Sequence, residues 1–506
     1  MIDKSKRSQN LANRLTDCYL LFMLLFFPLF SGISGYRNIT FAKYLCFVIP
    51  TVLWLSVLLF YRIRIKKNFC LSSLHPAQNA VLIFGIVACL SACCSTFRVQ
   101  TLIGTSRYDG LLTILLYCGT FFGISQYAVF KRHHAIALAV STTLCCLIAI
   151  LQLFCLDPLR LFPGTLTYYD NGISYTGRFL GTIGNTNLLA AFLCIGIPFF
   201  TALYITEHSF SRGYWMIPAS CGLFLLISSK SSGGIVALCL CALVSTPLLL
   251  RTRDRLHSAF SASALLLLVA GYASSMVPNY TEGTVTVSIV FGMRALLCFV
   301  ASAICMVLKF ICRFLHPCSP SRQSRILALF CVFAVCLGLS IVYWYPADSG
   351  SLYELSRILH GELSDSFGSS RIRIWRVVLD LVPEHPLLGG GPDTLSARLD
   401  LTFSRLVEET GHTFTTHVDN AHNEYLGHLV NLGTLGLAAY LSTMIASFRT
   451  WFQQRDTAVF AAIGCALFCY WVQGLFGLGL VLVNPLLWIF WALLESQSSP
   501  CFSQAL

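Results

Sequence analysis

Ile326-Leu-Ala-Leu-Phe-Cys-Val-Phe-Ala-Val-Cys-Leu-Gly-Leu-Ser-Ile-Val-Tyr-Trp-Tyr-Pro346 contains no charged side chain. About 20 consecutive apolar residues in a helix span the hydrocarbon core of a bilayer, where each backbone amide must find its partner inside the segment. Outward from this stretch, similar runs cover 16–35, 41–61, 78–96, 110–130, 135–156, 187–206, 213–229, 232–250, 259–277, 285–308, 424–448, 457–476 and 480–496. The pair at 213–250 and the last two runs are the ones open to miscounting, so about 12–14 transmembrane helices are expected. The fold class is therefore an all-α polytopic membrane protein.

Composition agrees. Only 11% of the 506 residues are charged and 56% are hydrophobic, with mean hydropathy +0.72. Soluble domains carry roughly 25% charged residues. The basic start (Lys4, Lys6, Arg7, Arg14) is not followed by a convincing small-residue cleavage site, so the first helix is expected to be retained. The 23 cysteines lie mostly inside apolar runs, as Cys145-Cys146 does, and read as small packing residues. A net charge of +12 raises the question of nucleic acid, but the basic residues are scattered over short loops. Membrane orientation explains them better, and no nucleic-acid partner is expected.

The positive-inside rule orders the loops. With a cytoplasmic N-terminus, Arg62 to Lys67, Lys131-Arg132, Arg251/Arg253/Arg255, Lys309 to Arg325 and Arg449/Arg455 all fall inside. The long polar connections 157–186 and 347–423 both fall outside, which favours an even count with both termini cytoplasmic. The chain then divides into scaffold helices (1–156), helices flanking the first outer loop (157–346), the large outer loop (347–423) and the last helices (424–506).

The loop 347–423 is long enough to hold structure. Ser369-Ser370 is a candidate cap for a helix from Arg371, with Ile372, Trp375, Leu379 and Val382 as its apolar stripe. Pro383 and Pro386 end it, Gly389-Gly-Gly-Pro392 turns, and Asp393-Thr394 is a candidate cap for a further short helix. These features predict an amphipathic helical hairpin against the membrane surface.

Several constellations have chemistry. Gly177-Arg-Phe-Leu-Gly-Thr-Ile-Gly-Asn-Thr-Asn187 reads either as an anion cradle beside Arg178 or as a capped helix entry at Asn187. No Gly-Lys-Ser/Thr follows, so it is not a nucleotide loop. Arg371, in Ser370-Arg-Ile-Arg-Ile-Trp375, is placed to hold phosphate with its planar fork, beside Trp375 on one helix side. Arg373 and Arg376 read as readily as a headgroup-facing basic surface. Asp419-Asn-Ala-His-Asn-Glu-Tyr-Leu426 sets His422, a group that titrates near neutrality, among Asp419, Asn423 and Glu424 at a membrane edge. His412, His417 and His422 recur every five residues, which raises a metal alternative, but the spacing suits no single helix face. Arg294 inside the run 285–308 and Arg107 in Gly104-Thr-Ser-Arg-Tyr-Asp-Gly110 are each either further phosphate ligands or snorkelling side chains. Lys230 is a further outer basic position.

Three pieces in order resemble the O-antigen ligase / O-antigen polymerase family of bacterial envelope glycosyltransferases, over roughly 170–490: Gly177-Arg178 through Gly184-Asn-Thr-Asn-Leu-Leu-Ala190; Ser370-Arg371 through Trp375 to His385-Pro-Leu-Leu-Gly-Gly-Gly-Pro392; and Ala421-His-Asn-Glu-Tyr-Leu426 with Gly433 and Gly436-Leu437. The resemblance implies a GT-C-like, metal-independent transferase without a cofactor in the bacterial plasma membrane. Its donor would be an undecaprenyl-diphosphate-linked oligosaccharide, and its acceptor a glycan, lipid or wall polymer on the outer face. It implies that Arg178 and Arg371 hold the donor diphosphate and that His422 activates the acceptor hydroxyl. Beside that resemblance, Arg294, Arg107, Asn187, Asn423 and Glu424 are supporting candidates by their own positions and chemistry. Many members carry Ser-Arg-Gly where this chain has Ser229-Lys-Ser-Ser-Gly233, so Lys230 has no clear counterpart. A transporter or flippase of lipid-linked glycan is the competing class, and it predicts functional charges at mid-membrane.

Overall fold

The computed structural model describes residues 2–64, 74–162, 169–170, 173–174, 179–281, 284–314, 318–344, 350–407 and 412–496. Among these, ten helices are long and apolar enough to cross a membrane, and Leu111–Tyr127, Ala458–Gln473 and Asn484–Leu494 are shorter apolar helices. Each expected span meets a helix, so the protein is an all-α polytopic membrane protein with small β-hairpins added.

Burial separates centre from rim. The apolar stretch of Thr186–Thr206 is 89% buried, that of Pro320–Trp344 only 6%. Thr186–Thr206 packs along Ala458–Gln473, Leu111–Tyr127 along Asn484–Leu494, and Glu424–Gln454 along Pro76–Cys94. An aromatic knot ties these last four together: Trp488 lies 5.7 Å from Tyr117 and 6.0 Å from Phe84, and Trp491 lies 5.3 Å from Tyr440. Rings this close add packing specificity beyond their buried area. Every described cysteine is a free thiol, as expected of small packing residues.

Pairs of helices also mark the two ends of the bundle. Leu111–Tyr127 leaves the loop 104–110 at one end and reaches Lys131-Arg132 at the other. There the Arg132 guanidinium pairs with Glu207 at 3.4 Å, beyond the C-terminus of Thr186–Thr206. The loop 104–110 and the segment 207–212 therefore lie at opposite ends.

Four expectations change. Residues 285–289 are a strand, not the start of a span: Thr284–Ile289 pairs antiparallel with Met276–Thr281, and the helix begins at Met293. The β-branched alternation of Thr284-Val-Thr-Val-Ser-Ile289 suits a pleated ribbon. The loop 347–423 is not a helical hairpin alone. It holds the helices Gly350–Leu359 and Phe367–Asp380, then a β-hairpin of Thr402–Val407 with His412–His417. Ser369-Ser370 does not cap; Gly368, Ser369 and Ser370 all have positive φ and form a left-handed turn within Phe367–Asp380. The buried side of that helix carries Ile374 and Val378, and Leu379 of the expected stripe is exposed. Thr394 likewise gives no side-chain cap to Leu395–Arg398; its hydroxyl donates to the Gly391 carbonyl at 2.8 Å.

Candidate functional site

The site is organised by a broken helix. Within Glu424–Gln454, Gly433 has φ +70°, and a Cβ there would come within 2.2 Å of the Leu387 backbone. Only glycine tolerates both conditions. The interruption leaves backbone groups at 430–435 without helical partners, and the segment 386–391 supplies them. Gly390 N–H donates to Val430 O at 3.1 Å, Gly391 N–H to Asn431 O at 2.9 Å, and Thr434 N–H to Pro386 O at 2.9 Å. Non-helical backbone at membrane depth survives where protein re-satisfies it in this way. Ser95 Oγ donates to Gly390 O at 2.5 Å, and Arg398 Nη2 donates to Val430 O at 3.0 Å. The Gly389–Gly391 turn is thus fixed to the bundle, and it delivers Asp393.

Asp393 is a hub. Its carboxylate takes the backbone N–H groups of Ser106, Arg107 and Asp109, and its carbonyl accepts from Thr105 N at 3.1 Å. Burial pushes its pKa up, with Asp419 adding to the rise. The loop 104–110, held this way, projects Arg107, whose Nε donates to Asp419 Oδ2 at 2.7 Å. Asp419 opens the polar segment found in the sequence, so a chain of contacts runs from the glycine turn to that segment.

Within the segment, roles divide by geometry. Asn423 is a helix cap, its Oδ1 accepting from Tyr425 N at 3.0 Å and Leu426 N at 3.1 Å. Glu424 turns into the bundle, where its Oε1 accepts from Tyr440 Oη at 2.8 Å. His422 stands in the left-handed region at φ +50°, its N–H donating to Asn420 Oδ1 at 3.1 Å. The imidazole itself makes no hydrogen bond with the described residues. Its pKa is lowered, first by burial, then by the Arg371 charge; Asp419 opposes and Arg107 adds to the lowering. Arg371, Arg107 and Asp419 are therefore all within electrostatic reach of one histidine ring.

Arg371 approaches from the kinked helix. Glu354 accepts the Gly368 N–H at 3.2 Å, and the left-handed turn that follows points Arg371 inward, where Nη1 donates to Gly368 O at 3.0 Å. Its Nε is buried without a partner, and so is Trp375 Nε1 one turn along. Unmet buried donors are costly in a finished core, roughly 1–3 kcal/mol each. Here they form a pair of vacant N–H groups beside a cation, which is an anion-receiving arrangement.

Beneath the segment, a cavity of about 50 Å³ is lined by Asp109, Asp393, Asn420, Glu424, His428 and Asn484, among others. Burial holds the Asp109 carboxyl well above the usual carboxylate range, with Asp393 and Glu424 contributing.

The remaining predicted residues fall elsewhere. Arg178 lies outside the described residues. The neighbouring backbone is not an open cradle: Leu180 and Gly181 N–H groups both donate to the buried Gln152 Oε1, at 3.1 and 2.9 Å. Asn187 sits in the first turn of Thr186–Thr206, and its N–H is capped by Asn185 Oδ1 at 2.9 Å. Arg294 is exposed in the first turn of Met293–Cys312, at the very end of that apolar helix rather than deep within it. Lys230 is exposed in a tight turn at φ +53°. Arg376 pairs with Asp365 at 3.0 Å, and Arg373 lies over the Phe403 ring at 5.3 Å, so both are engaged within the 347–423 loop. Sequence reasoning missed Asp393 as a hub and Trp375 as a donor; the signals were an aspartate directly after Gly-Gly-Gly-Pro and an indole four residues after Arg371.

Residues 217–441, somewhat less than half of the chain, match the family described as O-antigen ligase. The matched stretch contains Arg371, Asp393, Asp419 and His422 and supports assignment to the O-antigen ligase/polymerase family, with a glycosyltransferase activity of that kind. No curated protein matches the chain.

Proposed function

We propose, from that family match as premise, that the chain is a metal-independent glycosyltransferase that transfers or polymerises undecaprenyl-diphosphate-linked glycan on the outer face of the bacterial plasma membrane, both its termini being cytoplasmic. One observation supports this most: a histidine ring free of hydrogen bonds lies within reach of a cation whose Nε, like a neighbouring indole N–H, is buried and unpaired.

The chemistry follows from those groups. The His422 imidazole accepts the proton of the acceptor hydroxyl as its oxygen forms a bond to the anomeric carbon. The bond from that carbon to the phosphate oxygen breaks, and the diphosphate leaves with the electron pair. Arg371 and Trp375 Nε1 receive the developing charge, and Arg178 is assigned to the same anion. Such preorganised donors stabilise a transition state without rearranging. Charge coupling also runs the right way. An imidazolium beside Arg371 and Arg107 is unfavourable until an anion grows next to them, so proton uptake and leaving-group departure assist each other. Asp419, held by Arg107, favours the imidazolium once it forms.

The test is reconstitution of the purified protein in nanodiscs with lipid-linked oligosaccharide, in the presence of a chelator, with products read by mass. A ladder means polymerase and a single addition to a supplied acceptor means ligase. Movement of the lipid across vesicles with no new glycosidic bond, or strict dependence on added metal, sinks this reading.

A further inference from the structure

At the opposite end of the bundle, a cavity of about 460 Å³ opens between the end of Thr186–Thr206 and the start of Arg253–Ser275. It is lined by His208, Ser209, Arg212, Asp254, His257 and Ser258. Lys309 and Arg313, at the end of Met293–Cys312, act with Arg212 on the His257 ring. Arg253 fixes that helix end in place, its Nε donating to Cys312 O at 2.9 Å and its Nη2 to Arg313 O.

The charges here are only partly compensated, the Arg212 guanidinium lying over the Tyr204 ring at 5.2 Å. Arg212 Nη1 donates to Ser258 Oγ at 3.1 Å and to Glu207 O at 3.2 Å, while its Nε and Nη2 meet no described acceptor. Neither Lys309 nor Arg313 has an ion pair among the described residues. The nearby acids are occupied: Glu207 by Arg132 and the Trp215 indole, Asp456 by Arg251 and Arg255. Asp254 alone remains, exposed and without a side-chain partner among the described residues. Arg212 and two histidines at the cavity, with Lys309 and Arg313 within electrostatic reach of His257 and one free carboxylate opposed, set up an electropositive concavity in which Arg212 keeps vacant donors.

We infer that this cavity is a second site, for a phosphate-bearing anion, remote from the proposed catalytic cluster. Phosphate is the fitting chemistry because arginine presents paired N–H groups to tetrahedral oxyanions and histidine adds a neutral or charged donor. The phosphate belongs either to a lipid headgroup of the adjoining leaflet or to a soluble phosphorylated molecule.

The experiment uses the full chain in an Arg371→Ala background, which weakens the proposed catalytic anion site, so that the Arg212 and Lys309 variants report on the cavity at the other end. In one arm, protein in phosphatidylcholine nanodiscs is titrated calorimetrically with inorganic pyrophosphate. In the other, native mass spectrometry compares retention of phosphatidylglycerol with that of phosphatidylcholine. The inference requires one arm to show an anion bound once per chain. Arg212→Gln must weaken it by on the order of tenfold, the loss expected for one charge-assisted contact, and Lys309→Gln must weaken it measurably but by a smaller factor, as a charge acting at a distance. Retained phosphatidylglycerol identifies a lipid source, and bound pyrophosphate a soluble one. Lys309 makes no hydrogen bond among the described residues, so its variant tests the field without disturbing packing. No preference for either anion, or equal binding by both variants and the parent, overturns it.

Discussion

The two ends of this bundle each bring arginines to a histidine, yet the two clusters are built differently. At the His422 end the backbone is forced. Of eight described non-glycine residues with positive φ, five (Tyr108, Ser369, Ser370, Asp393 and His422) lie in the segments that assemble the site. Each such conformation costs of order 1 kcal/mol and persists only where the surroundings over-determine it. Here the surroundings are the glycine turn seated in a broken helix and the amides gathered on Asp393. At the His257 end the cations come from ordinary helix termini around an open cavity, with none of that backbone strain at the lining residues. Strain and burial fix a few groups in one geometry, as a reaction needs; an open cationic concavity suits binding, which tolerates variation.

The largest effect that tests this contrast is at His422. His422→Ala should lower transfer by about 10²–10⁴-fold, the usual worth of a general base, with helical content and detergent elution unchanged. Full activity in that variant breaks the contrast at its centre. Arg371 comes next. Arg371→Ala should lower kcat by roughly 10²-fold as a lost transition-state donor, and Arg371→Lys should recover little, because an ammonium lacks the fork. Equal rescue by lysine would mean that Arg371 supplies only charge.

The membrane architecture was legible in the sequence because lipid imposes a single rule, about 20 apolar residues per crossing, and ten described helices obey it, while three shorter apolar helices account for much of the difference from the 12–14 expected. His422 and Arg371 were legible as residue types at a membrane edge. Their supports were not. Asp393 read as a helix cap, since nothing in Gly389-Gly-Gly-Pro-Asp393 reveals that the turn inserts into a helix broken forty residues later at Gly433. Asn423 and Glu424 read as supporting residues because they adjoin His422; the sequence did not reveal that one caps the helix and the other accepts from Tyr440, while both line the cavity beneath. The strand at 284–289 hid inside an apolar run, where a short ribbon and a helix share the same composition.

A middle-sized effect is expected at the hub. Asp393→Ala leaves the amides of residues 106, 107 and 109 without their acceptor, a loss of about 1–3 kcal/mol for buried donors. Transfer should fall roughly tenfold through KM more than kcat, and amide exchange should rise across 104–110. Unchanged exchange there would deny the hub its role.

Acidity provides a directional test of smaller size. In the proposed mechanism the neutral imidazole is the active form, and burial with Arg371 and Arg107 lowers its pKa from 6.5. The acid limb of kcat/KM should therefore lie below that value, activity falling as pH drops through the lowered pKa. Arg107→Gln removes a lowering charge and releases Asp419, so the limb should move up in pH. Asp419→Asn removes the opposing charge, so the limb should move down. Opposite shifts from two members of one ion pair are hard to produce by general damage, and limbs that do not move would place both residues outside the site.

The smallest expected effect concerns Arg294, which lies toward the same end of the bundle as His422: its helix runs from Met293 to Cys312, and Cys312 and Arg313 are held at the other end by Arg253. Charge and location alone would make it a third diphosphate ligand. It differs from Arg371 in every other respect. It is exposed, follows a plain β-hairpin, and has no vacant buried donor. If burial and backbone constraint are what make an arginine part of the reacting cluster, Arg294→Gln should change transfer by no more than about twofold, as exposed substitutions commonly do. A tenfold loss would mean that the ribbon of Met276–Thr281 with Thr284–Ile289, which precedes Arg294, closes over the donor, and that proximity to the membrane surface, not rigidity, decides which arginines act.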